Sequence, residues 1–287
     1  MPRETNNRPR TIIFTVLALT AFAANSVFCR LALKQQAIDP STFSTVRFAS
    51  GAVALLAMTG VRRPLRGYAG SWASAFILAF YAIPFAFAYV LLTAGTGALI
   101  LFGTVQVTML GAARREGERI KGWQLFGLGV ALIGLVFLVW PGLSAPSPTG
   151  AILMALAGIG WGSYSLRGRG AVDPVHQTTS NFIRAVPLIA LASVASTSNF
   201  HISPSGAALA MASGVLASGL GYVAWFAALP GLTAVKASVV QLAVPVIAGL
   251  GGVILLSEPV HGRLVGASVL VLGGIALAIV SRDMKAR

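Results

Sequence analysis

Acidic side chains are scarce in this chain. Seven Asp and Glu stand against 21 Lys and Arg among 287 residues, and charged residues make up only 10% of the whole. Soluble domains carry about 25% charged residues, so a shortage this large across the full length excludes an ordinary soluble fold. The single cysteine, Cys29, excludes an intrachain disulfide; inside an apolar run it reads as a small packing residue. The seven carboxylates, Glu4, Asp39, Glu116, Glu118, Asp173, Glu258 and Asp283, all fall in tails, connections or helix ends, and so do His176, His201 and His261. No phosphate-binding Walker loop, metal-spaced Cys/His set or nucleophile elbow occurs. The expectation is therefore a protein that is not an enzyme, with no metal site and no cofactor.

What is abundant is apolar surface. Hydrophobic residues reach 56% and the mean hydropathy is +0.82. A bilayer core needs roughly 20 apolar residues per helix. Cutting at charges, Pro and Gly clusters gives ten runs: Thr11–Ala32, Thr42–Gly60, Ala69–Leu92, Gly95–Ala113, Gly122–Val139, Thr149–Ser165, Thr179–Ser196, Ser205–Leu229, Leu232–Leu256 and Gly262–Val280. The first is too long for the apolar core of a cleavable leader and reads as a spanning helix. The fold class is an all-α polytopic membrane protein with ten transmembrane helices.

A net charge of +14 on a soluble protein would point to nucleic acid. Here the basic residues sit in the short joins between apolar runs, so the charge is topological, and no nucleic-acid partner is expected. With the N-terminus inside, one side collects Arg3, Arg8, Arg10, Arg62, Arg63, Arg66, Arg114, Arg115, Arg119, Lys121, Arg167, Arg169, Lys236, Arg282, Lys285 and Arg287. The other holds only Arg30, Lys34 and Arg263. That bias places both termini in the cytoplasm and requires an even number of spans.

The two halves match in order. "TAFAANSVFCR" (Thr20–Arg30) lines up with "AGIGWGSYSLR" (Ala157–Arg167), and "IDP" (Ile38–Pro40) with "VDP" (Val172–Pro174). Arg47 pairs with Arg184, Tyr89-Val90 with Tyr222-Val223, and Glu118…Gly122 with Glu258…Gly262. A duplicated unit of five helices puts the second copy upside down relative to the first. Inverted repeats around a midplane site belong to transporters. The halves are residues 1–143 and 144–287.

Several residues are candidates for the midplane. Tyr81, Phe85 and Tyr89 are spaced i, i+4, i+8 and share a helix face. Trp161 with Tyr164, and Tyr222 with Trp225, add aromatic surface and hydroxyl or indole donors. Tyr89 and Trp225, close to helix ends, read equally well as interface-belt residues; Trp72, Trp123 and Trp140 read as belts. Asn25, Ser26, Ser163, Gln106 and Gln241 are neutral polar groups within spans, fit either for a zwitterion or for interhelical hydrogen bonds. Pro84, Pro187 and Pro245 lie inside spans, where each frees a backbone carbonyl; gating hinges and static kinks are both consistent with this. Arg47 and Arg184 lie about two turns from helix ends, which favours snorkelling or carbonyl capping over carboxylate anchoring. The expected chamber is wet, uncharged and walled by aromatic rings.

The mid-span proline followed by "LLSEPVHGRLVGASVLVLGGIALAI" (Leu255–Ile279), with Trp161-Gly162-Ser163 opening the second half, resembles the EamA repeat of the drug/metabolite transporter superfamily. The overall layout is most similar to YddG-type amino-acid exporters. The resemblance implies ten helices in two inverted five-helix repeats around a central cavity, in a bacterial inner membrane. It implies export of amino acids, aromatic and other neutral ones, or of similar small metabolites, by a chain acting as a monomer. The first half departs from the pattern: Ala24-Asn25 replaces the usual Trp-Gly, and Gln106 stands where the second half has Pro245. Small multidrug carriers of the superfamily use a membrane-embedded Glu in the first helix. Asn25 there cannot titrate, so transport is expected to be facilitative. Export of drugs, purines or other metabolites, with proton coupling, is the alternative.

Overall fold

Helix starts in this chain are written in proline. Asp39-Pro40, Ser147-Pro148, Asp173-Pro174 and Ser203-Pro204 each put a capping side chain before a proline at the first helical position, where its missing N–H is not needed. Ser147 accepts from Gly150 N, and Ser203 from Gly206 N. Asp39 accepts from Thr42 N at 2.9 Å, and Asp173 from His176 N at 3.1 Å.

The computed structural model describes residues 8–59, 70–115, 122–140, 142, 145–168, 173–195, 200–232, 240–241 and 243–280. These residues fold into ten helices: α1 (Arg8–Lys34), α2 (Pro40–Thr59), α3 (Trp72–Leu91), α4 (Ala94–Arg115), α5 (Gly122–Val139), α6 (Pro148–Arg167), α7 (Pro174–Ala195), α8 (Pro204–Gly231), α9 (Ala243–Leu256) and α10 (Gly262–Val280). By length and composition α1, α2, α3, α6 and α8 are able to cross a membrane, and α4, α5, α9 and α10 contain shorter apolar stretches. Each of the ten apolar runs coincides with a helix. For the ninth run the described part of the helix begins at 240, omits 242, and ends at Leu256. The basic residues Arg3, Arg62, Arg63, Arg66, Arg119, Lys121, Arg169, Lys236, Arg282, Lys285 and Arg287, with Glu4, Glu116, Glu118 and Asp283, lie outside the described residues. The chain is a multi-pass membrane protein.

The helices pack in a regular exchange of partners. α3 runs along α6, and α1 along α8; α4 meets α6, and α1 meets α9; α2 packs on α7, α4 on α9 and α5 on α10. Adding or subtracting five from each helix number returns the same set of pairs. Ile12, Ile13, Phe76, Phe126, Ile152, Ile254 and Val269 are exposed, as expected where lipid rather than water is the solvent.

α8 is not a uniform helix. Its middle, Ser213–Leu220, is a π-helix, followed by an α segment (Gly221–Ala228) and a 3₁₀ turn (Leu229–Gly231). Stretches of π-helix are rare and concentrate at functional sites. This one lies flat against α2. A Cβ at Gly214 would overlap the carbonyl oxygen of Arg47, so only glycine lets the two backbones approach this closely.

Candidate functional site

Phe22 and Asn25 of α1, Tyr81 and Phe85 of α3, Trp161 of α6 and Tyr222 of α8 converge around a small cavity, which Ser26, Leu101, Phe102 and Ala217 complete. Tyr81 is nine residues from one end of α3 and ten from the other, so at 1.5 Å per residue it sits about 14 Å deep. That is near the midplane of a hydrocarbon core about 30 Å thick.

The walls are a network of rings. Trp161 stands at its hub, 4.8 Å from Tyr222, 5.4 Å from Tyr81 and 5.6 Å from Phe22 between centroids. Phe22 meets Trp161 and Tyr222 edge-on. These tilted and edge-to-face geometries are the favourable ones for aromatic pairs. The hub needs α6 to lie very close to α3: a Cβ at Gly160 would come within 3.0 Å of Tyr81 Cα. The indole Nε1 of Trp161 and the hydroxyl of Tyr222 are buried without a hydrogen-bond partner.

Beside the rings runs a chain of polar groups. Ser213 Oγ donates to Asn25 Oδ1 at 2.6 Å, and Asn25 Nδ2 donates to Tyr81 OH at 3.3 Å. Arg47 Nη2 donates to the same hydroxyl at 3.0 Å, and Arg47 Nε to Ser218 Oγ at 2.8 Å. The chain joins α1, α2, α3 and α8, and both serines come from the π-helical segment. Arg47 is only 1% exposed. Its guanidinium lies 5.1 Å from the ring centroids of Phe48 and Phe85 and 5.4 Å from that of Tyr81.

The residues that line the cavity are uncharged, but an arginine stands directly beside two of them, Tyr81 and Phe85, and this corrects one expectation. Arg47 neither snorkels nor caps a helix; α2 is too firmly packed against α8 and α7 for its side chain to turn outward. Its counterpart Arg184 is half-buried and reaches back along its own helix, donating to the Ser180 carbonyl at 3.3 Å and to the Ser180 hydroxyl. The cavity is also tight. At about 20 Å³ it has room for roughly one water, so a substrate enters only after the surrounding helices part.

The remaining candidates are placed as follows. Tyr89 is fully buried and packs edge-on against Phe85 at 4.8 Å, and Trp225 is buried 5.9 Å from Phe22; neither is an interface-belt residue. Tyr164 neighbours Trp161 at 6.0 Å and accepts from Asn181 Nδ2 at 3.3 Å. Tyr89, Tyr164, the half-buried Ser163 and the buried Gln241 are not among the residues lining the cavity. Pro84 and Pro187 lie inside α3 and α7. Pro245 faces a separate apolar groove of about 400 Å³ between α4, α9 and α10. Trp72 and Trp140 are exposed at helix ends. Sequence reasoning missed Phe22, Ser213 and Ser218. The serines carried no signal, since only a local change of helix type turns both toward the centre.

A second polar knot lies where α1 finishes. Arg30 Nε donates to Glu258 Oε1 at 2.9 Å, and Arg30 Nη1 donates to the Tyr89 and Val90 carbonyls. Glu258 Oε2 accepts from Ala94 N at 2.8 Å, capping α4. Lys34 Nζ donates to the Leu256 carbonyl at 2.7 Å, at the end of α9. Among the described residues, no group of three or more His, Cys, Asp or Glu is placed to hold a metal ion.

Residues 148–280 match the EamA-like transporter family. An uncharacterised protein of Pseudomonas aeruginosa is 50% identical over 274 residues, covering 95% of this chain and 96% of that protein. An uncharacterised transporter of Archaeoglobus fulgidus is 25% identical over 276 residues, 93% of this chain and 98% of that one. A crystal structure is similar in fold, with a TM-score of 0.65 at 21% identity over 93% of this chain and 98% of that chain. The second half of the chain, residues 148–280, thus carries the likeness to the EamA-like transporter family, while the likeness to the Pseudomonas and Archaeoglobus proteins runs over nearly its whole length.

Proposed function

We propose that this transporter exports amino acids, aromatic and other neutral ones, or similar small metabolites across a bacterial inner membrane. In this reading it works by alternating access, as two inverted five-helix halves, 1–143 and 144–287, with both termini cytoplasmic. The observation that carries it is the small aromatic cavity at mid-depth, where α1, α3, α4, α6 and α8 meet around Trp161. Such a site offers apolar walls for a side chain and ring faces for an ammonium group.

Two further features support the reading. The main helix pairs exchange with one another when the numbers shift by five, as a duplicated unit would have them, and a unit of five spans puts its second copy upside down. The Arg30–Glu258 ion pair ties the ends of α1 and α3 and the start of α4 to the α9–α10 connection, and in this reading its release opens the bundle at that end. Among the described residues, no Asp, Glu or His lines the cavity, and this favours facilitative flux over proton exchange.

The test is counterflow of radiolabelled amino acids in proteoliposomes, wild type against Trp161→Ala, with and without a pH gradient. Wild type is expected to exchange phenylalanine or a neutral relative independently of the gradient, and the variant to lose most of that flux. Exchange of purines or drugs with no exchange of amino acids would transfer the same site to the other substrate class. Flux abolished by collapsing the gradient would overturn the facilitative part.

A further inference from the structure

Arg47 is a cation deep in the bundle without an anion. Its Nε and Nη2 are taken by Ser218 and Tyr81, while Nη1 is buried with no hydrogen-bond partner. Among the described residues the ion pairs are Arg30–Glu258 and His176–Asp173, and neither involves Arg47. Two neutral hydroxyls and three ring faces offset only part of the desolvation of a buried guanidinium. A lone ionisable residue at membrane depth is expensive and points to function.

The placement also says which function. Tyr81 OH accepts from Arg47, and Tyr81 and Phe85, whose rings flank the guanidinium, are walls of the cavity. Once the helices part, a ligand anion moving past Tyr81 reaches the guanidinium, whose Nη1 has no other hydrogen-bond partner. Nη1 carries two N–H donors, and a guanidinium binds a carboxylate through charge-assisted hydrogen bonds. One carboxylate balances one guanidinium. A phosphate monoester, at about −1.5 to −2, would leave excess negative charge in a site whose only other polar groups are neutral.

We propose that Arg47 is the specificity-determining residue of the cavity: it recognises the substrate's carboxylate, so the site takes small carboxylates with an apolar or aromatic body and refuses amines that lack one. This rests on the cavity being the transport site. The π-helical turn of α8 and the close approach at Gly214 set the arginine in place: Ser218 accepts from Nε, and α8 comes so near that a Cβ at Gly214 would overlap the Arg47 carbonyl.

The experiment compares four probes of one shape on the purified full-length protein: phenylalanine, 3-phenylpropionate, phenylalaninamide and 2-phenylethylamine. At a concentration near ten times Kd, the two carboxylates are expected to raise the wild-type melting midpoint by about 3–6 °C, and the amide and amine not to raise it. Arg47→Gln is expected to lose both shifts while its ligand-free midpoint stays equal to or above that of the wild type, since an uncompensated buried charge is gone. A purely structural arginine would lower that midpoint. Arg47→Lys is expected to keep part of the shift. An amine that stabilises as well as the acid, a shift that survives in Arg47→Gln, or no carboxylate shift in the wild type overturns the proposal. A phenylpropionate shift without phenylalanine counterflow supports carboxylate recognition and removes the amino-acid assignment.

Discussion

Arg30 and Glu258, 228 positions apart, form an ion pair of 2.9 Å that is also a helix cap. The arginine closes α1 onto the last carbonyls of α3, and the glutamate accepts the first amide of α4. Three helix ends and the α9–α10 connection are held by one pair of side chains.

Glu258→Gln should loosen that end. It keeps an acceptor for Ala94 but leaves a largely buried guanidinium without its counter-charge, which costs about 3 kcal/mol. The expected result is a lower melting midpoint, and faster labelling of Thr93→Cys by a membrane-impermeant maleimide than in the Glu258 parent. Equal labelling rates would mean the knot does not guard the end of the bundle.

Tyr81→Phe removes the acceptor shared by Asn25 and Arg47. Leaving two buried donors unsatisfied costs about 1–3 kcal/mol, more where one is charged. Ring packing on Trp161 is retained, so a fall in thermal stability together with weaker carboxylate binding isolates the hydroxyl. Stability equal to wild type would show that the polar chain carries little.

Gly214→Val tests the contact between α2 and α8. The added side chain must displace the Arg47 carbonyl or straighten the π-helical turn. Overpacking of this kind costs about 1–3 kcal/mol. The expected variant is destabilised, with binding reduced more than in the neighbouring exposed control Leu216→Val. Unchanged binding would separate the helix contact from the placement of Arg47.

Asp39 offers a pH test outside the membrane. Burial alone would raise its pKa, but hydrogen bonds from Ser41 Oγ, Thr42 N and His201 N outweigh this and hold it below the ordinary carboxylate value. A folded-state pKa depressed in this way gives stability that is present above the unfolded value, about 3.9, and lost as pH falls through the folded one. The melting midpoint should be insensitive to Asp39 from pH 7 to 5 and drop below about pH 4, with a smaller drop in Asp39→Asn. Those bonds tie the α1–α2 turn to the turn before α8, where Asp39 N donates to the His201 carbonyl and Ser203 N to the Ala37 carbonyl. An identical acid profile in both proteins would exclude Asp39 as the titrating group.

Composition alone determined that this chain dissolves in a bilayer, because a spanning segment must satisfy its backbone internally and leave nothing charged toward the lipid. Helix number and boundaries followed from the same constraint, since apolar length and Ser-Pro or Asp-Pro starts are local properties. Even the meeting of Tyr81 and Phe85 was legible, as i and i+4 share a face on any helix. The tertiary structure decided what no local rule carries: which rings at that depth meet one another, and where Arg47 points. An arginine two turns inside a helix reads as a snorkelling residue when its helix is considered alone, and Arg184 is satisfied within its own helix by Ser180. Arg47 departs from it because Gly214 lets a π-helical turn, more than 160 positions away in the chain, close over it and supply Ser218, while α3 supplies Tyr81. Burial of a charge is a property of what surrounds it, and those surroundings exist only once the helices have packed.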